Sequence, residues 1–173
     1  MGMVIRIPTL TTPRLLLRPF TLADLHPLFD ILQEPDIFKY FPRPGPPPME
    51  KVERIINEQL VQYEQYGFGQ WAVELLQTPG LVGWCGLNHL PETDEDEVAY
   101  LLSRSVHGQG YATEGARASL EFGFGEAGLK RIIALVHPEN LASRRVAEKL
   151  GMTLLDRKFY WGMECLRFET THL

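Results

Sequence analysis

The middle of the chain runs Val98-Ala99-Tyr100-Leu101-Leu102-Ser103-Arg104-Ser105-Val106-His107-Gly108-Gln109-Gly110-Tyr111-Ala112-Thr113-Glu114. Val98 to Leu102 is a short apolar run and reads as a strand. Ser103 to Val106 is a polar turn. From Ala112 the pattern becomes helical, with Ala112, Ala116, Leu120 and Phe124 at steps of four. The unit from Val98 to Gly128 is therefore a strand, a glycine-rich turn and a helix. Glycine lets the backbone adopt turns that a side chain forbids and lets a ligand come close. The start of a helix presents unpaired N–H groups and about half a positive charge. Such a unit is built to hold a phosphate.

The stretch lacks the Lys-Ser/Thr pair of a P-loop, which argues against ATP bound by that route. Gly123-Phe124-Gly125-Glu126-Ala127-Gly128 spells a GxGxxG string. It follows a helix and precedes a strand, the reverse of a dinucleotide fingerprint. It reads as a helix end, with Gly128 as the stop.

His107-x-x-Gly110-x-Ala112 resembles the Gln/Arg-x-x-Gly-x-Gly/Ala acyl-CoA motif of the GNAT acetyltransferases, with His in place of Gln/Arg. Gly108-Gln109-Gly110-Tyr111-Ala112-Thr113-Glu114 is similar to the RimJ/RimL-type branch, whose named members acetylate ribosomal-protein N-termini. Thr12-Pro13-Arg14-Leu15-Leu16-Leu17-Arg18 is similar to that branch's N-terminal strand. Pro138 to Gly151, with Asn140, Ser143 and Ala147 inside it, is similar to its second signature. The three stretches stand in the family's order and cover nearly the whole chain.

Composition agrees with one ordinary domain spanning residues 1–173. The hydrophobic share is 45%, which argues against disorder. No apolar run approaches the roughly 20 residues of a membrane span. No signal peptide is evident, so a cytoplasmic protein is expected. Cys85 and Cys165 are isolated, and the five histidines lack metal-ligand spacing; no metal is expected. A net charge of −5 disfavours a nucleic-acid partner.

Read in order, Leu15 to Phe20 is a strand. Thr21-Leu22-Ala23-Asp24 resembles a capping box before a helix to about Gln33, which Pro27 kinks or delays. Phe41 to Pro48 holds five prolines and reads as a stiff extended connector. A helix over Met49–Tyr66 buries Val52, Ile55, Ile56, Leu60 and Tyr63, stops at Gly67, and leaves Glu50, Glu53, Arg54, Glu58 and Gln62 to solvent. Phe68–Leu76 and Leu81–Leu90 form a hairpin. Trp71 and Trp84 either line an acceptor pocket or fill the core, with core expected for at least one. Glu92 to Glu97, five acids in six positions, reads as a solvated loop. Arg131–Val136 is a buried strand. Asn140 caps a helix that turns Ala142, Val146 and Leu150 to one side and ends at Gly151. Leu154–Tyr160 and Met163–Thr170 form a last hairpin around Trp161-Gly162. The elements mix α and β in one domain. The resemblance implies the GNAT fold, a twisted mixed sheet flanked by helices whose central strands splay to admit acyl-CoA.

Acetyl transfer to an amine requires a neutral amine, a polarised thioester carbonyl, protonation of the thiolate as it leaves, and alignment. A Lys amine titrates about 2.5 units above an α-amine, an extra deprotonation cost of roughly 3.4 kcal/mol at neutral pH. The resemblance implies a carboxylate base at the start of the strand entering the loop. Glu97 holds that place, acting directly or through water, or is merely the last member of the acid run. Backbone N–H groups at Tyr100, Leu101 and Leu102 are expected to polarise the carbonyl. Those of Gly108, Gln109, Gly110, Tyr111, Ala112 and Thr113 are expected to hold the pyrophosphate. Asn140 either contacts the pantetheine arm or is only the helix cap. The resemblance places Ser143 where Rim-type relatives protonate the departing thiolate; it either protonates that sulfur, only hydrogen-bonds it, or is an ordinary first-turn serine. Ala147 stands where many relatives carry a tyrosine. His107 either touches ligand or shapes the turn. The expected function is an acetyl-CoA-dependent N-acetyltransferase acting on a primary amine of a protein N-terminus or a small molecule. A non-catalytic acyl-CoA sensor is the alternative, and a phosphate- or nucleotide-binding module ranks last. A homodimer through the final hairpin is an open option.

Overall fold

The computed structural model describes residues 7–42 and 45–173; Arg43 and Pro44 of the proline-rich connector, and the first six residues, lie outside it. The strands are β1 (Leu10–Thr11), β2 (Leu15–Arg18), β3 (Gln70–Leu75), β4 (Leu81–Leu90), β5 (Glu95–Leu102), β6 (Ile132–Val136), β7 (Thr153–Tyr160) and β8 (Met163–Thr170). The helices are α1 (Leu25–Leu32), α2 (Met49–Tyr66), α3 (Tyr111–Gly125) and α4 (Leu141–Lys149). The strands form one sheet in the order β1-β2-β3-β4-β5-β6-β8-β7. Every neighbouring pair is antiparallel except β5 and β6. This is the mixed α/β sheet expected.

Helices cover both faces of the sheet, because apolar side chains alternate along its central strands. On one face Phe20, Leu28, Leu32, Val52 and Ile56 pack on Ala72, Trp84 and Leu101. On the other, Ala116, Leu120, Ala147 and Leu150 pack against Trp71, Leu87, Val98 and Phe168. Both tryptophans are core: Trp71 is fully buried and Trp84 nearly so. The Trp71 indole N–H donates to the Pro8 carbonyl at 2.8 Å, satisfying its one polar atom.

The helix ends follow local chemistry. Pro27 sits near the start of α1, and a 3-10 turn over Leu22–Asp24 precedes the helix. The Thr21 N–H donates to Asp24 Oδ2 at 2.9 Å, and Arg18 holds the same carboxylate through two bonds of 2.9 and 2.7 Å. Gly67 ends α2 at φ 73°. After α3 the chain turns at Gly128, φ 69°, as the glycine string implied. Trp161 and Gly162, both at positive φ, turn the last hairpin.

Three expectations need correction. The acid run is not one solvated loop: Asp94 is exposed, but Glu95 and Glu97 are buried in β5. A strand sends alternate side chains to one face, so two of the acids share a buried surface. Gln62 is also buried; its amide donates to the Leu87 carbonyl at 3.3 Å and accepts from the His89 N–H at 3.1 Å. On α4 the inward face is Ser143, Val146, Ala147 and Leu150, while Ala142 is exposed. That shift of one position turns Ser143 toward the sheet.

Gly83 of β4 has φ 144° and faces β5, where a Cβ would overlap the Leu101 carbonyl oxygen. Gly83→Ala should therefore cost about 1–3 kcal/mol. Denaturant melting measures this, and an unchanged midpoint would contradict the tight β4–β5 approach.

Candidate active site

The site is a parting of strands. Between β4 and β5 the ladder runs unbroken from Leu90↔Glu95 to Gly83↔Leu102. Between β5 and β6 only Glu97 and Ile133 pair. Beyond that point β5 continues through Val98–Leu102 without a ladder partner on its β6 side. Strand β6 meanwhile pairs on its far edge with β8 as far as Val136↔Leu166. The two parallel strands thus diverge toward their carboxyl ends. Unpaired backbone groups in such a gap need a partner.

The glycine loop lies at the open end of this cleft. Gly108 and Gly110 take positive φ, 74° and 83°, and Gly110 is the residue on which α3 begins. Gly108, Gln109 and Gly110 are exposed, and Tyr111, Ala112 and Thr113 half-buried. The first N–H groups of α3, which have no partner within the helix, lie beside them. His107 is exposed, but its Nε2 bonds the Leu102 carbonyl at 2.8 Å, which closes the turn.

Arg14 and Glu114 brace this loop, a pairing that local sequence reading missed. Glu114 accepts from Thr12 Oγ1 at 2.6 Å, from the Arg14 N–H at 2.8 Å and from Arg14 Nε at 2.6 Å. Arg14 Nη1 donates to the Gln109 carbonyl at 2.8 Å, and its guanidinium lies 4.4 Å from the centre of the Tyr111 ring. Burial of the Glu114 carboxyl opposes its charge, but these hydrogen bonds together hold it below the ordinary carboxylate range. The N-terminal signature and the glycine signature are therefore one physical object. An open groove of about 960 Å³ runs beside it, lined by Thr12, Gly110, Thr113, Arg117 and Lys149 among others.

Glu97 stands at the apex of the cleft. It is buried, and burial raises its carboxyl to about 7; the Asn88 amide, donating at 3.2 Å, pulls the other way, and the charge of Glu95 adds to the rise. Glu95, two residues away on the same face, behaves oppositely. Burial disfavours its charge too, but it accepts from the Tyr160 hydroxyl at 2.7 Å, Arg167 at 2.9 Å and Arg131 at 3.2 Å, and is held below the usual carboxylate range. One carboxylate is fixed as an anion and its neighbour is poised near neutrality.

The other side of β5 carries Tyr100, whose hydroxyl donates to Ser143 Oγ at 3.0 Å. Asn140 caps α4, its Oδ1 accepting from the Ser143 N–H at 3.1 Å. Glu97 and Ser143 thus lie on opposite faces of β5, one toward Asn88, the other toward α4. Leu101 packs on α1 and α2, and Leu102 belongs to the core under α3. Among the described residues no His, Cys, Asp and Glu cluster could hold a metal ion. Asn88 was legible in principle: pairing outward from the turn after Leu90 brings it opposite Glu97.

Residues 14–153 match the acetyltransferase (GNAT) domain family. The chain is 35% identical over 148 residues to the uncharacterized protein YkkB of Bacillus subtilis, covering 83% of this chain and 84% of that protein. It is 31% identical over 143 residues to the uncharacterized N-acetyltransferase YnaD of the same organism, covering 83% and 81%. Among solved structures it is similar to an acetyltransferase from Agrobacterium tumefaciens, at 29% identity and a TM-score of 0.82 over 98% of each chain. Fold, cleft and matched residues converge: the chain belongs to the GNAT family of acetyltransferases.

Proposed function

We propose that this N-acetyltransferase draws its acetyl group from acetyl-CoA lodged between β5 and β6 and passes it to a primary amine by direct attack. The observation that carries the reading is the splayed strand pair, with a buried carboxyl raised to about 7 at its apex and a glycine turn leading into a helix N-terminus at its mouth. Gly108 to Thr113 would hold the pyrophosphate through backbone N–H groups. The N–H groups of Tyr100 and Leu102, on the edge of β5 away from β4, would align the pantetheine arm and polarise the thioester carbonyl, while that of Leu101 faces β4. Asn140 would both cap α4 and border the arm. The reading includes a cytoplasmic location; no described helix is long and apolar enough to cross a membrane. Membership in an acetyltransferase family does not favour the non-catalytic sensor.

In this reading Glu97 accepts a proton from the attacking amine, directly or through one water. A carboxylate near 7 is a far better base than one near 4.5, and it matches an α-amine at about 8 more closely than a lysine at about 10.4. That match favours a protein N-terminus or a weakly basic small amine as acceptor. Ser143 stabilises the departing sulfur by hydrogen bonding. Release of free thiol from acetyl-CoA with a panel of amines tests the reading. Acceptor-dependent release is expected, and binding of acetyl-CoA without turnover on any amine would revive the sensor.

Glu97→Gln should lower kcat by about 10²- to 10⁴-fold while changing acetyl-CoA affinity little. In the wild type, kcat/KM should fall as pH drops through about 7, where Glu97 takes up a proton, on top of the fall set by protonation of the amine itself. The variant should keep only the fall set by the amine.

The same substitution has a stability signature of known sign. The Glu97 carboxyl is raised on folding, so its contribution is fully present below the unfolded value near 4.5 and is lost as pH rises through about 7. Glu97→Gln should therefore raise the melting temperature at pH 8 and leave it nearly unchanged at pH 4. A lower melting temperature at pH 8 would contradict the burial cost assigned to Glu97.

Glu114→Gln tests the brace. It should weaken acetyl-CoA binding by roughly three- to tenfold, about 1 kcal/mol of lost preorganisation, with little effect on single-turnover chemistry. Calorimetry and rapid quench separate the two.

A further inference from the structure

Cleavage of a thioester leaves negative charge on sulfur, which a hydrogen-bond donor stabilises, and Ala147 on α4 offers no hydroxyl. The structure brings a tyrosine to the same region from another element. Tyr100 rises from β5 on the side that faces α4, and its hydroxyl reaches Ser143 Oγ at 3.0 Å. Ser143 is in the first turn of α4, which follows β6. This hydrogen bond therefore joins the two arms that diverge from Glu97 and Ile133.

A serine hydroxyl has one proton and two lone pairs, and its hydrogen rotates freely unless something fixes it. On a helix it commonly turns back to a carbonyl of the preceding turn. Here one lone pair of Ser143 Oγ is taken by the Tyr100 proton. We propose that Tyr100 is a positioning residue for the leaving group: by donating to Ser143 Oγ it aims the serine's own proton into the cleft, where the thiolate departs. The inference rests on the acetyl-transfer reading given above.

The step balances without a proton leaving Tyr100. The amine nitrogen forms its bond to the acetyl carbon, and the surplus amine proton passes to Glu97 and on to water. The C–S bond then breaks with its electron pair on sulfur, and Ser143 Oγ–H hydrogen-bonds that pair. Coenzyme A, a thiol of about 8.5, takes its proton from water on release. Burial raises the Tyr100 hydroxyl to about 12, so full transfer to the thiolate would run uphill, and Tyr100 acts as a fixed donor. A donor chain of this kind polarises along its length, which strengthens the bond to sulfur.

The test follows the sulfur itself. Coenzyme A is bound to the wild type, Tyr100→Phe, Ser143→Ala and the double variant, and thiolate absorbance is followed between pH 6 and 9.5. The protein's own thiols stay silent there, because burial raises Cys85 to about 12 and Cys165 to about 11. Tyr100→Phe keeps the ring and its packing. The wild type should hold the bound thiol about one unit below its free value. Each single variant should return most of that shift, and the double variant should add little. Single-turnover acetyl transfer should fall about tenfold in Tyr100→Phe and no further than Ser143→Ala in the double variant. A merely structural tyrosine would lower the melting temperature or weaken binding without moving the thiol titration. An unshifted titration in Tyr100→Phe, or losses that multiply in the double variant, would overturn the proposal. If the wild type turns over acetyl-CoA while Tyr100→Phe matches it, only this inference falls; if the wild type transfers acetyl to no amine, the functional reading falls with it.

Discussion

A single backbone pairing, Glu97 against Ile133, holds β5 to β6 and then lets them go. Everything at the candidate site depends on that release. Two parallel strands that stayed paired would satisfy their own N–H and C=O groups and leave no room between them. Because they part, β5 keeps one edge free over Val98–Leu102 while its other edge stays locked to β4. The rigid side positions the loop that follows, and the free side offers the donors and acceptors. Strand β6 can afford to swing away because β8 pairs with all of it.

The same junction sorts the electrostatics. Glu95 and Glu97 are two residues apart on one face of a strand, both shielded from water. The difference between them is supplied from distant parts of the chain. Arg131, Tyr160 and Arg167 converge on Glu95 and keep it charged, whereas Glu97 has the neutral Asn88 amide. A fixed anion beside a buried carboxyl makes the second ionisation harder. Environments that push two similar groups apart are a mark of acid–base sites.

Much of this was legible. The glycine loop, the Asn140 cap, the hairpin turn at Trp161-Gly162 and the α2 stripe from Val52 to Tyr63 follow local rules of turn chemistry and periodicity, and they appear where those rules place them. What failed to show depends on partners far away in sequence. The burial of Glu95 needs Arg131 and Arg167, so a window over Glu92–Glu97 sees only charge and reads solvent. The brace between Arg14 and Glu114 spans 100 residues. Ser143 and Ala142 exchange places because one position on a short, weakly apolar helix turns the face by about 100°. The sequence assigned Tyr100 only a backbone role, because the contact of its hydroxyl with Ser143 spans 43 residues.

The most direct measurement is a crystal structure of the chain with coenzyme A bound. The pantetheine arm should lie between β5 and β6, bonded to the backbone of Tyr100 and Leu102, with the pyrophosphate on Gly108–Thr113 and the sulfur near Ser143. Coenzyme A found elsewhere on the surface, with β5 and β6 zipped together past Glu97, would contradict this placement.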